Sequence, residues 1–80
     1  MFQEIEALGE ITIMQYNLRV FNKDAGKLII DRAIKNKENA IIMFNDLVNI
    51  YHNLNGRYTI TLYDLEKCTN IESYDSDDNI

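Results

Sequence analysis

The sequence predicts an α+β fold, in which one long helix packs on one face of a small antiparallel or mixed sheet. Two stretches in which apolar and polar residues alternate are joined by a turn-forming segment, and both precede Asn36. A helical spacing of apolar residues runs from there to Gly56, and a third alternating stretch follows it. The predicted order is therefore β-β-α-β, with a possible short helix before it and a possible fourth strand after it.

The first strand is predicted from an alternation that starts at Glu10. Its apolar face consists of Met14, Tyr16, Leu18 and Val20. Its polar face consists of Gln15, Asn17 and Arg19. Before this strand, Phe2, Ile5 and Leu8 have helical spacing and Gly9 fits a helix end, so a short N-terminal helix is expected.

A hairpin is predicted to connect the first two strands. The segment from Asn22 to Gly26 reads NKDAG, which supplies polar side chains for turn hydrogen bonds and a glycine for a positive φ. The second strand is expected at residues 27–34, with Leu28, Ile30 and Ile34 on one face. Arg32 falls among these apolar residues and is the one inconsistency in the pattern.

The long helix has the strongest local signals. Asn36 is a suitable N-cap, Glu38 complements the helix dipole, and Gly56 is expected to terminate the helix in the left-handed conformation. The apolar stripe comprises Ala40, Met43, Phe44, Leu47, Ile50, Tyr51 and Leu54. Only the sheet is available to cover this stripe.

The third strand alternates cleanly, and the remainder of the chain is acidic. Tyr58, Ile60 and Leu62 are expected to face inward, with Thr59, Thr61 and Tyr63 facing outward. A weaker fourth strand is expected around residues 71–74 after a turn. We therefore predict a single α+β domain at residues 1–74 and an acidic flexible tail at residues 75–80.

Composition argues against several kinds of chemistry. The 80 residues include one histidine, His52, and one cysteine, Cys68, which is too few for an internal disulfide or a zinc site. No glycine-rich phosphate-binding motif occurs, and the longest fully apolar run has five residues, Ala40 to Phe44. We expect a cytoplasmic protein that is not an enzyme, has no catalytic, cofactor or metal site, and does not bind membranes.

Charge is concentrated at the two ends of the chain. Residues 1–10 carry −3 and residues 72–80 carry −4, whereas the rest sums to +2. Such acidic ends usually serve for solubility; the alternative is that they imitate the phosphates of DNA and bind a basic nucleic-acid-binding protein. The other candidate surface is the sheet face without the helix. Together the candidate partner-binding residues are Glu72, Asp75, Asp77, Asp78, Arg19 and Tyr63.

The chain has no proline and is rich in Asn, Ile and Lys. In this composition and in element order it resembles small accessory proteins of phages and mobile elements, including inhibitors such as anti-CRISPR proteins. The resemblance implies an inhibitor or adaptor that binds a host protein. The alternatives are a small nucleic-acid-binding protein that uses Arg19, Arg32, Lys35 and Lys37, and a self-associating structural protein such as a homodimer.

Overall fold

The computed structural model of the chain describes residues 14–79. Within this range, four antiparallel strands form one sheet in the spatial order β2-β1-β3-β4. The elements are β1 (Tyr16–Asn22), β2 (Lys27–Ile34), α1 (Lys37–His52), β3 (Tyr58–Asp64), β4 (Thr69–Asp75) and a short 3-10 helix (Ser76–Asn79). The α+β class, the β-β-α-β order and the fourth strand are confirmed. The expected N-terminal helix and residues 10–13 of the first strand lie outside the described residues.

Helix α1 packs on one face of the sheet because its connection crosses the middle of the sheet. Strands β2 and β3 are both antiparallel to β1 and flank it, so they are parallel to each other and the chain must pass over β1 between them. The core under the helix contains the buried residues Tyr16, Leu18, Val20, Ile34, Ala40, Phe44, Ile60 and Leu62.

The hairpin between β1 and β2 forms as the turn residues predict. The Gly26 amide donates to the Asn22 carbonyl at 2.8 Å, and the Asn22 side chain accepts from the Ala25 amide at 3.1 Å. Gly26 has a φ of 68°, a conformation that glycine adopts without steric cost.

A β-bulge changes the faces of β2. Val20 lies opposite Ile30, but the next residue, Phe21, lies opposite Leu28, so Ile29 is the extra residue. Leu28 therefore shares a face with Phe21, on the side of the sheet without the helix. The prediction that Leu28 faces inward with Ile30 is wrong, because one inserted residue reverses the side on which every earlier residue of the strand lies.

Helix α1 begins as predicted and ends earlier than predicted. The Asn36 side chain accepts a hydrogen bond from the Asn39 amide at 3.1 Å, which caps the first turn. The last helical residue is His52, with Asn53 as the C-cap, so Gly56 lies beyond the terminus. Leu54 is consequently outside the helix and 49% exposed, and Ile50 is also exposed. Both were expected on the buried stripe.

The turn between β3 and β4 is organised by a buried carboxylate. Asp64 is 4% exposed and accepts hydrogen bonds from the backbone amides of Glu66 and Lys67 at 2.9 and 3.1 Å. In β4 a second bulge at Ile71 places Glu72 opposite Leu62, on the helix side of the sheet. Residues beyond this bulge return to regular pairing with β3.

The acidic segment expected to begin at residue 75 is continuous with the sheet. Asp75 is the last residue of β4, and Ser76–Asn79 form the 3-10 helix. The Ser76 hydroxyl accepts a hydrogen bond from the Tyr58 amide at 2.9 Å, which ties this helix to the start of β3. The boundary expected at residue 74 therefore falls inside β4.

Candidate functional site

Two of the predicted acidic residues belong to an ion cluster at one end of the sheet. The Lys23 ammonium lies 2.9 Å from Asp75 and 2.6 Å from Asp77, and its side chain is only 23% exposed. Arg57 contacts Asp77 at 2.9 Å and reaches Asp24 at 3.8 Å. We call these five residues the turn-end ion cluster, because it joins the β1–β2 turn, the start of β3 and the end of β4.

The charges in this cluster stabilise one another. Hydrogen bonds from Arg57 and Lys23 hold the pKa of Asp77 far below its usual value, and Lys23 lowers the pKa of Asp75. The same carboxylates raise the pKa of Lys23. Two cations and three carboxylates leave a net charge of −1. Asp75 and Asp77 therefore already have cationic partners within the chain.

The other predicted acidic residues do not extend this cluster into one acidic surface. Glu72 is exposed and lies opposite Leu62 on the helix side of β4. Asp75 lies opposite Thr59, on the other side of the same strand. The backbone of Asp78 lies in the 3-10 helix. The acidic ends, as far as the structure describes them, are thus divided between two faces.

The side of the sheet without α1, here called the helix-free face, brings the other two predicted residues together. Arg19 and Tyr63 line a shallow groove of about 170 Å³. Its remaining lining residues are Asn17, Thr61, Leu65 and Asn70. The Arg19 side chain is 56% exposed and lies 3.5 Å from Asp31. Because this pair cancels its own charge, the groove is polar and nearly neutral.

Two groups in this groove have unusual surroundings. Burial, and then the neighbouring Cys68, raise the pKa of the Tyr63 hydroxyl. The Asn17 amide donates to Asp31 at 2.9 Å, but its Oδ1 atom is shielded and has no hydrogen-bond partner among the described residues. The groove therefore offers hydrogen-bonding groups and little charge.

The basic residues of the nucleic-acid alternative are divided between two faces. Arg19 is on the helix-free face, whereas Arg32 lies opposite Leu18 and so points to the helix side. Lys35 is in the β2–α1 connection and Lys37 is the first residue of α1. These residues do not form one continuous track for a phosphate backbone.

Sequence reasoning missed a cleft between β2 and α1, here called the β2 cleft. Its apolar lining consists of Leu18, Ile30, Met43 and Leu47, and Arg32 and Asp46 complete it. The cleft has a volume of about 200 Å³ and opens to solvent. Ile50 is 53% exposed, and its helical spacing puts it on the same side of α1 as Met43 and Leu47. The apolar surface therefore continues along the helix.

The β2 cleft adjoins an open edge of the sheet. Strand β2 pairs with β1 on one side, and no other strand within residues 14–79 pairs with its outer side. Basic side chains are spread along this edge, at Lys27, Arg32 and Lys35. The sequence did contain one signal of this site. Arg32 interrupts an apolar face, as expected where that face meets solvent rather than the core.

The described residues show no other assembled chemical site. Within residues 14–79 there is no group of three or more His, Cys, Asp or Glu residues that could hold a metal ion. No helix in that range is long and apolar enough to cross a membrane. Comparisons with protein-family models, with curated proteins and with solved structures found no match to this chain. The functional argument therefore rests on the geometry of these surfaces.

Proposed function

We propose that this chain is a non-enzymatic protein-binding module that engages its partner at the open edge of β2. The observation that carries the proposal is the outer edge of β2, which pairs with no other strand within residues 14–79 and lies beside the solvent-open, apolar β2 cleft. An exposed edge strand presents free amide and carbonyl groups to another chain, and an adjacent apolar cleft adds buried area to that contact.

This site has more support than the acidic ends. Asp75 and Asp77 are already hydrogen-bonded to Lys23 and Arg57, so a basic partner would have to displace internal cations before it gained their charge. Displacement of paired and partly shielded charges costs free energy, whereas the outer backbone groups of β2 pair with no other strand within residues 14–79. A DNA-mimic mechanism consequently has little free charge at these two positions.

The non-enzymatic part of the proposal is supported by the separation of the two most reactive side chains. His52 is at the end of α1, and its Nδ1 atom lies 3.3 Å from the Tyr74 hydroxyl on the helix side of the sheet. Cys68 is in the β3–β4 turn, next to Tyr63 of the helix-free face. A nucleophile and its base must be within hydrogen-bonding distance, and these two residues lie on opposite sides of the sheet.

The setting in which such a module acts is also a proposal. The composition, similar to that of phage and mobile-element proteins, supports an inhibitor or adaptor directed at a host protein. Cys68 is exposed and has no disulfide partner, which supports a reducing compartment such as the cytoplasm. In that role the protein acts by binding through its surface and not by catalysing a reaction.

A photo-crosslinking experiment in the native cells tests the proposal. A photoreactive amino acid is introduced at three exposed positions, each on a different surface: Ile29 in β2, Ser73 on the helix-free face and Glu72 on the helix side of β4. We expect one protein to be crosslinked strongly from position 29 and weakly or not at all from the other two. Absence of any specific crosslinked protein from all three positions would overturn the proposed function.

A further inference from the structure

We infer that the β2 cleft binds an extended, acidic segment of a partner protein, which adds to the sheet as a fifth strand beside β2. This inference rests on the proposed function and specifies the chemistry of the partner. Three features constrain the occupant: the outer edge of β2, which is unpaired in the described part of the chain, the apolar flank of α1, and the basic residues of the edge.

The backbone of β2 constrains the conformation of the partner segment. A strand of eight residues with no described neighbour on its outer side offers hydrogen bonds only to a chain that is itself extended. In such strand addition, main-chain hydrogen bonds supply affinity and alternate side chains enter the adjoining cleft. An added strand therefore has every second side chain on the helix side of the sheet.

The residues of β2 that face the helix side constrain those alternate side chains. These residues are Ile30, Arg32 and Ile34 in that order. Asp46 also lines the cleft, but no ion pair within residues 14–79 joins it to Arg32. Directly opposed side chains on neighbouring strands contact each other, so the occupant gains most from an apolar residue beside each isoleucine and a carboxylate beside Arg32. The expected pattern is an acidic residue with a branched apolar residue two positions away on each side.

Charge also favours an acidic partner segment over a second copy of β2. Lys27, Arg32 and Lys35 lie along the strand and just beyond it, while the acidic Asp31 is paired with Arg19 on the other face. Antiparallel pairing of two β2 edges would bring these basic residues together, and like charges on adjacent strands are destabilising. An acidic partner segment has the opposite effect.

The test uses a synthetic peptide of this pattern. The probe is N-acetyl-Thr-Val-Thr-Glu-Thr-Val-Thr-amide, titrated into the isotope-labelled full chain and followed by NMR. Amide signals of β2 and of the Met43, Leu47 and Ile50 side of α1 are expected to shift with saturation, while those of β4 remain unchanged. The same peptide methylated on alternate backbone nitrogens is expected not to bind, because it keeps its side chains and loses the hydrogen bonds of a strand.

A charge exchange at Arg32 tests the acidic preference. In the native chain, replacing the peptide glutamate with lysine should weaken binding by about tenfold, which corresponds to roughly 1.4 kcal/mol. The R32E variant should reverse this preference. A matched variant, K67E, makes the same change of charge in the β3–β4 turn and should leave it intact. An unchanged preference in R32E would contradict the assigned role of this residue.

The outcomes separate this inference from the proposed function. If no peptide of this pattern binds at millimolar concentration, or if the N-methylated peptide binds equally well, strand addition of an acidic segment is wrong. A protein crosslinked in cells from Ser73 alone would then keep the protein-binding function and move it to the helix-free face. If the chain forms dimers through β2 at the same concentrations, the occupant is a second copy and the inference also fails.

Discussion

The two outer strands of the sheet differ in how they are protected. Strand β4 is secured by residues that follow it and face it, since Asp75 and Asp77 bind Lys23, and the Tyr74 hydroxyl lies 3.3 Å from His52. Within residues 14–79 the side-chain hydrogen bonds and ion pairs of β2 are made only to β1, and the helix side of β2 opens into the β2 cleft. Helix α1 packs mainly on the central strands β1 and β3, so the difference between these two edges of the same small domain lies in the ion cluster and in the His52 contact of β4.

This difference shows how a small domain can separate stability from binding. The fully buried side chains of the sheet belong to its two central strands, with Leu18 and Val20 in β1 and Ile60 and Leu62 in β3. Both outer strands have mostly exposed side chains and one bulge each, and the ion cluster closes the end of β4. Edge strands in natural proteins are commonly kept from indiscriminate pairing by lysines and bulges, and β2 has both. These features leave the edge of β2 accessible to a partner and discourage pairing with unrelated strands.

The largest expected loss of stability comes from a substitution in the buried core of the sheet. L62A removes a side chain with no exposure to solvent and should lower the free energy of unfolding by about 2–5 kcal/mol. M43A removes a half-buried side chain from the wall of the β2 cleft and should cost less than about 2 kcal/mol, since alanine also favours the helix. Urea denaturation followed by circular dichroism measures both values. Equal losses of unfolding free energy in L62A and M43A would contradict the conclusion that the central strands contribute more stability than the wall of the β2 cleft.

The next effect concerns the ion cluster that secures the end of β4. D77N removes the shared partner of Lys23 and Arg57 and should lower the Tm at neutral pH. Because the pKa of Asp77 is lowered in the folded state, its stabilising contribution is fully present above its unfolded pKa of about 4 and is lost as the pH falls further. The Tm difference between the native chain and D77N should therefore shrink from pH 5 to pH 2.

A matched variant defines the background for that experiment. E72Q also removes one carboxylate from β4, but no ion pair among the described residues includes Glu72. Its Tm should follow that of the native chain across the same pH range. A pH dependence in E72Q equal to that in D77N would show that the overall charge, and not the cluster, controls acid stability.

A smaller effect is expected at the open edge. R32E reverses an exposed charge beside the β2 cleft and should change the free energy of unfolding by no more than about 0.5 kcal/mol. Binding should nevertheless respond strongly to the same variant. Chemical denaturation of R32E provides the value, and a loss of several kcal/mol would mean that Arg32 stabilises the fold and is not free to bind a partner.

The smallest effect tests the contact between α1 and β4. Y74F removes the hydroxyl that lies 3.3 Å from His52 and keeps the packed ring. Because His52 is exposed and water can replace the lost hydrogen bond, the cost should be at most about 0.5 kcal/mol. Thermal denaturation of Y74F beside the native chain checks this value. A much larger loss would mean that the hydroxyl, rather than the packed ring and the ion cluster, secures β4.

The sequence predicted the parts of the fold that depend on local chemistry. Alternation identified three strands, Asn36 marked the helix start, and the Asn22 to Gly26 segment marked the hairpin, because each signal lies within a few residues of the structure it specifies. The bulge at Ile29 was not predictable in this way. It depends on which residues of β1 lie opposite β2, and an alternating pattern read along one strand contains no information about register.

The candidate sites were less predictable because they depend on contacts between distant segments. Lys23 and Asp75 are 52 positions apart, and nothing near either residue indicates that they meet. The sequence alone therefore gave no sign that these acidic residues have cationic partners within the chain. The β2 cleft depends on where α1 crosses the sheet, and only the misplaced Arg32 indicated that the inner face of β2 reaches solvent.

The most direct measurement of the central claim is hydrogen–deuterium exchange of the two edge strands with and without the crosslinked partner. If that protein adds a strand to β2, exchange of the outward-facing amides of β2 should slow by at least about tenfold on binding, the equivalent of roughly 1.4 kcal/mol. The amides of β4 should exchange at the same rate in both states. Slower exchange in β4 with no change in β2 would contradict the assignment of β2 as the binding edge.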